Sequence, residues 1–170
     1  MNKLQISRDN SSRIPYTSND LQQFIDEYNI EATILPMREH TSTVAEAAKA
    51  LKVDTSQIIK SLVFITPDEP VLVINNGIAR IDRRKLALQL GIGRKRVKFA
   101  NPDQALEITG FVVGAMPPFG HRRKLRTFVD SALTGLETIF GGGGDIDAMM
   151  RLTSSELVRV TRAEIVHLSE

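Results

Sequence analysis

The hydrophobic run Ile58-Ile59-Lys60-Ser61-Leu62-Val63-Phe64-Ile65 lies near the middle of this chain, and Val71-Leu72-Val73-Ile74 follows it after the turn Pro67-Asp68-Glu69-Pro70. The first run is eight residues long, rich in β-branched side chains and almost continuously apolar, which is typical of a buried strand. A second apolar run across a proline-bounded turn predicts a β-hairpin.

The segments around the hairpin alternate between helical and extended patterns without a strict βαβ repeat. Helices are predicted at Leu21–Tyr28, after the capping box of Thr43 and Glu46, from Asp82 to Leu90, from Asn101 to about Ile108, and after Ser154. Further strands are predicted at 31–36, 110–113, 125–129, 136–140 and 146–152, and the residues 165–168 close the chain. This mixture predicts an α+β fold with a mixed sheet.

Length and composition are those of one globular domain. The chain has 170 residues, of which 42% are hydrophobic, and it has no cysteine for disulfides or zinc–thiolate sites. No apolar run reaches the ~18 residues of a membrane span, and the polar N-terminus lacks the apolar core of a signal peptide. We expect an N-terminal arm over residues 1–17, a single domain over residues 18–170, no membrane association and a cytoplasmic location.

Positive charge is concentrated in the middle third of the chain. Residues 80–126 carry 12 lysines and arginines against 3 acidic residues, whereas the segments before and after them are net acidic. Such a patch favours a phosphate-rich partner, although a solvated basic helix would have the same composition. The candidate RNA-binding residues are Arg83, Arg84, Lys85, Arg94, Lys95, Arg96, Arg122, Arg123 and Lys124.

Lys60 is unusual because it lies inside the hydrophobic run. Burying an unpaired ammonium group is costly, or else it lowers the pKa of the group strongly. The side chain must therefore point outward at a strand end, pair with a carboxylate, or face a pocket. Snorkelling to the surface is the structural alternative to a functional role.

Two glycine-containing segments are further candidates for a pocket. Gly114-Ala115-Met116-Pro117-Pro118-Phe119-Gly120 is a stiff turn that a simple chain reversal would not require. Gly141–Gly144 follows a predicted strand, and its amides either form an anion-binding nest or belong to a flexible hairpin tip. The second segment has neither a Walker sequence nor a dinucleotide-binding sequence.

The three histidines give no metal-binding pattern. None of His40, His121 and His167 stands at a zinc-ligand spacing, so we predict no metal site and no cofactor. His40 precedes a predicted helix and either lines a pocket or caps the helix. His121 follows the stiff turn and is the candidate for positioning a water molecule.

Several motifs occur in a characteristic order: His40-Thr41-Ser42-Thr43-Val44-Ala45-Glu46-Ala47-Ala48, then Ile59-Lys60-Ser61-Leu62-Val63-Phe64, then Gly114-Ala115-Met116-Pro117-Pro118-Phe119-Gly120, then a strand that runs into glycines. Over about residues 20–168 the chain resembles the YbaK family of aminoacyl-tRNA deacylases and prolyl-tRNA-synthetase-associated editing domains. The resemblance implies a mixed, mostly antiparallel curved sheet flanked by helices. It also implies hydrolysis of the ester that joins a wrong amino acid to the 3′ end of a tRNA.

The resemblance also implies the site. The functional strand lysine of the family falls on Lys60, and the glycine of its Gly-x-x-x-Pro turn falls on Gly114. Together with His121, these are the expected catalytic residues. The expected substrate-binding residues are His40, Ser61, Pro118, Phe119, Gly120, Gly141, Gly142 and Gly143. Many family members carry a polar or basic side chain where this chain has only late glycines, so the resemblance implies no particular amino acid.

The expected geometry is one cavity lined by Lys60, Gly114 and Gly142, with the basic segment at its mouth. Lys60 would hold the terminal phosphate or the substrate carbonyl, and amides at Gly114 and Gly141–Gly143 would stabilise an oxyanion. The expected partners are an aminoacyl-tRNA and, as for some editing proteins, a synthetase, with no DNA. Two alternatives stay open: a non-catalytic module that binds tRNA or a synthetase, and a regulatory domain that senses an amino acid.

Overall fold

The computed structural model describes residues 14–39 and 41–170, so the predicted arm up to residue 13 and His40 lie outside the described residues. The helices are α1 (Ser18–Glu27), α2 (Val44–Leu51), α3 (Arg83–Leu90), α4 (Pro102–Thr109) and α5 (Ser154–Thr161). The strands are β1 (Ala32–Pro36), β2 (Ile59–Ile65), β3 (Val71–Asn76), β4 (Lys98–Phe99), β5 (Arg126–Asp130), β6 (Thr138–Gly142), β7 (Ala148–Thr153) and β8 (Glu164–Val166). This arrangement confirms the α+β class.

Helices α2, α3 and α4 begin at the capping residues that the sequence predicts, whereas α1 begins at Ser18, with Thr17 as its cap, instead of at Leu21. The Thr43 hydroxyl accepts a hydrogen bond from the Glu46 amide at 3.1 Å, which forms the predicted capping box at the start of α2. Asn101 caps α4, and Asp82 caps α3. Each cap satisfies amides that have no partner within the helix, and this local chemistry makes the boundaries predictable.

The strands are divided between two sheets. β2 and β3 pair antiparallel, which confirms the predicted hairpin. They form the centre of a five-stranded sheet of order β4-β2-β3-β5-β8, in which β5 is parallel to both β3 and β8. The second sheet is antiparallel, of order β1-β7-β6. A bridge between Ile58 and Phe140 joins the two sheets and sets the start of β2 beside β6.

Two hydrophobic clusters cover the two faces of the five-stranded sheet. The larger cluster includes Leu21 of α1, Ile108 of α4 and Ile74 of β3. The smaller cluster packs Leu86 of α3 against Phe128 of β5. Successive strand residues point to opposite faces, so the nearly continuous apolar sequence of the hairpin supplies both clusters. Among the described residues, no helix is long and apolar enough to cross a membrane.

The predicted strand at 110–113 is wrong. Gly110 ends α4 with a φ of 85°, in the left-handed region that favours glycine. Residues 110–125 then form a loop up to β5. The Phe111 amide donates to the Thr109 hydroxyl at 3.1 Å instead of to a neighbouring strand. The Phe111 side chain is buried, and its ring packs edge-on against the Tyr16 ring, with 5.5 Å between the ring centres. The residue is therefore hydrophobic because it anchors a loop in the core, not because it belongs to a strand.

The late strand begins and ends later than the predicted range of 136–140. The Leu136 amide donates to the Leu133 carbonyl in a turn, and pairing starts only at Thr138. Gly141 and Gly142 are part of β6, opposite Met150 and Met149 of β7. Glycine weakens most strands, which is why the sequence pattern ends this strand too early.

Asp130 fastens the C-terminal segment to the end of β5. Its buried carboxylate accepts hydrogen bonds from the amides of Leu168 at 2.9 Å, Ser169 at 2.8 Å and Ala132 at 2.9 Å. Burial raises the pKa of this carboxyl, but the hydrogen bonds together outweigh burial, and its pKa lies below the usual value. The resulting stability is present above about pH 4 and is lost as the pH falls through the lowered pKa.

We expect Asp130→Asn to lower the free energy of unfolding at pH 7 by about 1–3 kcal/mol, because hydrogen bonds to a charged acceptor are lost or weakened. Urea unfolding at pH 7 and pH 3 measures the effect, and the difference from the unmodified chain should shrink at pH 3. Asp147→Asn, which changes an exposed carboxylate, is the matched control. An equal loss of stability at both pH values would show that the charge of Asp130 is not involved.

Candidate functional site

A cavity of about 300 Å³ opens beside Lys60, and we call it the lysine cavity. Lys60, Ser61, Gly114 and Gly142 all line it, so the structure brings residues from β2, the loop and β6 to one place. Its apolar lining consists of Val44, Ala47, Ile58, Ile59, Leu62, Val63, Phe99, Ala100, Ala105, Val113, Met116 and Met149. The remaining lining residues are Thr41, Ser42 and Thr43, at the start of α2.

The Lys60 side chain is exposed rather than buried. Its stem passes Gly77, where an added Cβ would lie 3.5 Å from the Lys60 Cγ and only 2.5 Å from a methyl group of Val44. Gly77 therefore leaves space for both side chains, although the sequence marked it only as a turn residue. Within the part of the chain that the structure describes, Lys60 makes no hydrogen bond or ion pair. Its ammonium group is thus available to a ligand in the cavity.

Lys60 is also the sole ionisable side chain among the described residues that line this cavity. The other polar groups are hydroxyls, supplied by Ser61 and by Thr41, Ser42 and Thr43. A single positive charge at the mouth of an otherwise apolar cavity attracts an anion or a polarised carbonyl. The arrangement therefore suits a ligand that carries a negative charge or develops one.

Gly114 supplies a backbone donor to the same cavity. It forms a turn with a φ of 95°, in which the Ala115 amide donates to the Val112 carbonyl at 3.1 Å. No described group accepts a hydrogen bond from the Gly114 amide, and the residue is exposed. A free amide and a cation on the same cavity are the kinds of group that stabilise an oxyanion.

The glycine run does not form the predicted nest of free amides. The Gly143 amide donates to the Ala148 carbonyl at 3.1 Å, and the Gly144 amide donates to the Ala115 carbonyl at 2.9 Å. The prediction is wrong at these positions because the fold itself uses their amides. Gly142 lines the lysine cavity, whereas Gly141 packs against Ile59.

Pro118, Phe119, Gly120 and His121 line a second cavity, of about 430 Å³, which we call the arginine cavity. None of these four lies on the described lining of the lysine cavity. The chain passes between the two cavities at Pro117, so the residues before it and those after it face different spaces. The sequence interpretation required His121 and Lys60 to lie in one site. The structure instead places them on different cavities.

The His121 ring is fixed by its own loop. Its Nε2 lies 2.7 Å from the Pro117 carbonyl, to which the neutral ring donates. Burial lowers the pKa of His121 to about 4, although this hydrogen bond opposes the shift. Since an unfolded histidine titrates near pH ~6.5, the folded state keeps its full stability above that pH and loses stability as the pH falls towards the folded pKa.

We expect His121→Phe to flatten the dependence of stability on pH between pH 7 and pH 4.5. The unmodified chain should lose up to about 3 kcal/mol over this range through His121, since each pKa unit corresponds to about 1.4 kcal/mol. Urea unfolding at half-unit pH intervals measures the slope, and His167→Phe, at an exposed histidine, is the control. Identical slopes for the His121 variant and the unmodified chain would contradict the assignment.

The nine predicted RNA-binding cations are spread over several parts of the structure, and none is on the described lining of the lysine cavity. Arg123 and Lys124 line the arginine cavity. Others serve the fold: the Arg122 guanidinium lies 5.1 Å from the centre of the Tyr16 ring, the Arg83 side chain donates to the Val97 carbonyl at 3.4 Å, and the Lys85 ammonium donates to the Ser169 carbonyl at 2.5 Å. Arg84, Arg94, Lys95 and Arg96 are exposed.

Sequence reasoning missed the start of α2 as a wall of the site. Thr41, Ser42 and Thr43, which follow His40 in the sequence, line the lysine cavity, whereas His40 itself lies outside the described residues. The capping box at Thr43 was a usable signal, because it locates the start of a helix directly after the histidine motif. Phe99 and Met149 had no such signal. Among the described residues, no group of three His, Asp or Glu side chains could hold a metal ion.

Comparisons with known proteins identify a family for most of the chain. The family described as aminoacyl-tRNA editing domain matches residues 38–160. YwhH of Bacillus subtilis (strain 168) is 30% identical over 132 residues, which are 77% of this chain and 82% of YwhH. The crystal structure of a candidate trans-editing enzyme for prolyl-tRNA synthetase has a TM-score of 0.84 at 30% identity, over 90% of this chain and 96% of that chain.

A proline–tRNA ligase matches over a shorter region. The ligase of Lactobacillus gasseri is 32% identical over 105 residues, which are 62% of this chain. The match spans only 18% of the ligase, so it concerns one part of a much larger protein.

Proposed function

This chain belongs to the aminoacyl-tRNA editing domain family, and from that premise we propose that it hydrolyses the ester bond of mischarged aminoacyl-tRNAs. The observation that carries the proposal is the lysine cavity, where the unpaired Lys60 and the free amide of Gly114 line the same space. A cation and a fixed amide are what ester hydrolysis needs, because negative charge develops on the carbonyl oxygen.

Lys60 acts as a fixed cation in this proposal. Its ammonium group holds either the terminal phosphate of the tRNA or the carbonyl oxygen of the ester. Both ligands are favoured by a single positive charge among apolar walls. Lys60 does not need to transfer a proton in either role.

The Gly114 amide stabilises the tetrahedral intermediate. A water oxygen attacks the ester carbonyl carbon, and the carbonyl oxygen becomes an oxyanion that accepts a hydrogen bond from this amide. Removal of one such donor costs ~3–4 kcal/mol in other enzymes. Collapse of the intermediate breaks the bond to the ribose oxygen, which takes up a proton, and releases the amino acid and the tRNA.

The attacking water is activated by the substrate rather than by a side chain. The described residues that line the lysine cavity include no carboxylate and no histidine, and His121 lies on the other cavity. A neighbouring ribose hydroxyl of the tRNA can instead orient the water and relay its proton: it takes the proton from the water and passes its own proton to the leaving ribose oxygen. The reaction therefore proceeds without a covalent enzyme intermediate.

The residues that line the lysine cavity also indicate the size and charge of the amino acid that is removed from the tRNA. A cavity of about 300 Å³ must hold the aminoacyl group and part of the terminal nucleotide, which favours a small amino acid. The apolar walls include Val44, Met116 and Met149, and no described carboxylate would pair with a cationic side chain. We therefore favour a small, uncharged amino acid.

We further propose that the chain acts in trans on tRNA for proline. This step is supported by the ligase relative and by the structural neighbour described as a candidate trans-editing enzyme for prolyl-tRNA synthetase. In this proposal a synthetase is the partner that supplies tRNA selectivity, which this domain then does not need to carry.

The test is a deacylation panel. Ala, Ser, Thr and Cys are each attached to tRNA-Pro and to their own tRNAs, and release of the amino acid is followed with and without the protein. Release of at least one amino acid from tRNA-Pro supports the proposal. Retardation of the tRNA in a gel without any release would favour a binding module, and binding of free amino acid alone would favour a sensing domain.

A further inference from the structure

The arginine cavity is a built site that the proposed hydrolysis leaves unused. Four cations line it, namely Arg123, Lys124, Arg159 and Arg162, and its described lining contains no aspartate or glutamate. The cations come from two separate segments, the loop before β5 and the end of α5. All four side chains are exposed, and four like charges around one concave space attract an anion to it.

Three of the four cations are available to a ligand. Among the described residues, Arg123, Lys124 and Arg162 have no carboxylate within ion-pair distance. Arg159 is the exception, since its guanidinium contacts both oxygens of Glu156, at 2.5 Å and 2.9 Å. The pKa of Glu156 is lowered chiefly by this hydrogen bond, so the pair is ionised and Arg159 is held in place.

An aromatic wall faces the same cavity. The Phe24 ring lies 4.6 Å from the Tyr28 ring and is stacked on Phe119 at 5.8 Å, and all three residues line the cavity. The whole chain has 7 phenylalanines, 2 tyrosines and no tryptophan, so this is a marked concentration of rings. Tyr28 is 56% exposed, which leaves its ring accessible to a planar ligand.

We propose that the arginine cavity binds a nucleotide. The base stacks on the aromatic wall, with Tyr28 as its accessible face, and the phosphate lies among Arg123, Lys124 and Arg162. Arginine and lysine are the usual phosphate ligands, and stacking on aromatic side chains holds bases of any sequence. A cavity of about 430 Å³ is large enough for a mononucleotide.

Two sources supply this chemistry: a free mononucleotide, or one nucleotide of an RNA chain that is bound elsewhere on the protein. The site does not depend on the proposed function, because no residue that lines it takes part in the reaction at Lys60. Its residues are the same for both sources, and the length of the probe distinguishes them.

The first test is isothermal titration calorimetry at low salt with adenosine 5′-monophosphate. Inorganic phosphate, adenosine and a five-nucleotide oligoadenylate serve as probes of the phosphate, the base and the chain. We expect saturable binding of adenosine 5′-monophosphate that is tighter than binding of phosphate or adenosine alone. If the oligoadenylate binds with the same affinity as adenosine 5′-monophosphate, the natural ligand is a free nucleotide. If the oligoadenylate binds about tenfold more tightly or better, the ligand is one nucleotide of an RNA chain. Absence of binding by both nucleotide probes would overturn the proposal.

A matched pair of variants tests the location. Arg123→Gln with Lys124→Gln removes two charges from the cavity, and Arg94→Gln with Lys95→Gln removes two exposed charges outside it. We expect the first pair to weaken binding at least about tenfold and the second to weaken it less than about twofold. Equal weakening by both pairs would show only general attraction of an anion to a basic protein.

Glycine amides report which cavity is occupied. Gly120 lies on the arginine cavity, and Gly114 and Gly142 lie on the lysine cavity. In amide proton–nitrogen spectra, adenosine 5′-monophosphate should shift the Gly120 signal, with the same dissociation constant as in calorimetry. Shifts confined to Gly114 and Gly142 would contradict the proposal. Lys60→Ala should retain binding at the arginine cavity, so failure of the deacylation panel and failure of nucleotide binding are separate outcomes.

Discussion

Lys60→Ala is expected to reduce deacylation of the best substrate in the panel by about 100-fold or more, which is the scale for removing one charge-stabilising donor from an active site. The fold should be preserved, because the Lys60 side chain is exposed and has no hydrogen-bond or ion-pair partner among the described residues. Single-turnover release of the labelled amino acid, measured with the enzyme in excess, reports the chemical step. Circular dichroism and urea unfolding confirm that the variant is folded.

The control for Lys60→Ala is Lys49→Ala, which removes an exposed lysine from α2 outside the described lining of the lysine cavity. It should release the amino acid at the unmodified rate. Unchanged release by the Lys60 variant for every substrate of the panel would remove Lys60 from the mechanism. The proposed function would then rest on the family alone.

Among replacements of a glycine near the site by alanine, Gly142→Ala is expected to lower the free energy of unfolding most. An added Cβ would lie 2.7 Å from the Met116 carbonyl carbon and 2.8 Å from the Ala115 carbonyl oxygen. Both contacts are with backbone, which cannot rotate away as a side chain can. We expect the free energy of unfolding to fall by about 3 kcal/mol, the upper end for an overpacked interior, and deacylation to fall with it.

Gly135→Ala is the matched control, since nothing lies within 4 Å of a Cβ added there. Gly141→Ala is an intermediate case, because the nearest atoms, at 3.1 Å and 3.2 Å, belong to the Ile59 side chain. The expected order of destabilisation is therefore 142, then 141, then 135, measured by urea unfolding. A stability of the Gly142 variant equal to that of the Gly135 variant would show that the loop moves away from β6 at little cost.

Features that depend on local chemistry could be predicted from the sequence. The capping box of Thr43 and Glu46 and the cap at Asn101 use atoms within a few residues of each other, so the pattern contains the whole interaction. The β2–β3 hairpin is also local, since only a short turn separates its strands. The α+β class follows from such elements without any knowledge of how they pack.

Features that depend on distant contacts could not be predicted. Phe111 looks like a strand residue in a window of sequence, but its burial against Tyr16 from the other end of the chain decides its role. Gly142 looks like a turn residue in the sequence. The structure requires glycine there because the Met116 backbone, 26 positions away in the chain, approaches it closely. The separation of His121 from Lys60 likewise depends on which side of the loop each residue faces.

The close packing of β6 against the loop also limits how this pocket can evolve. A side chain at Gly142 would collide with the Met116 carbonyl unless that backbone moves, so the lysine cavity has little room to be narrowed from that side. Ala47 and Ala105 line other walls, from α2 and α4. A single replacement can therefore change the shape of the lysine cavity at less cost to the fold on these helical walls than at Gly142.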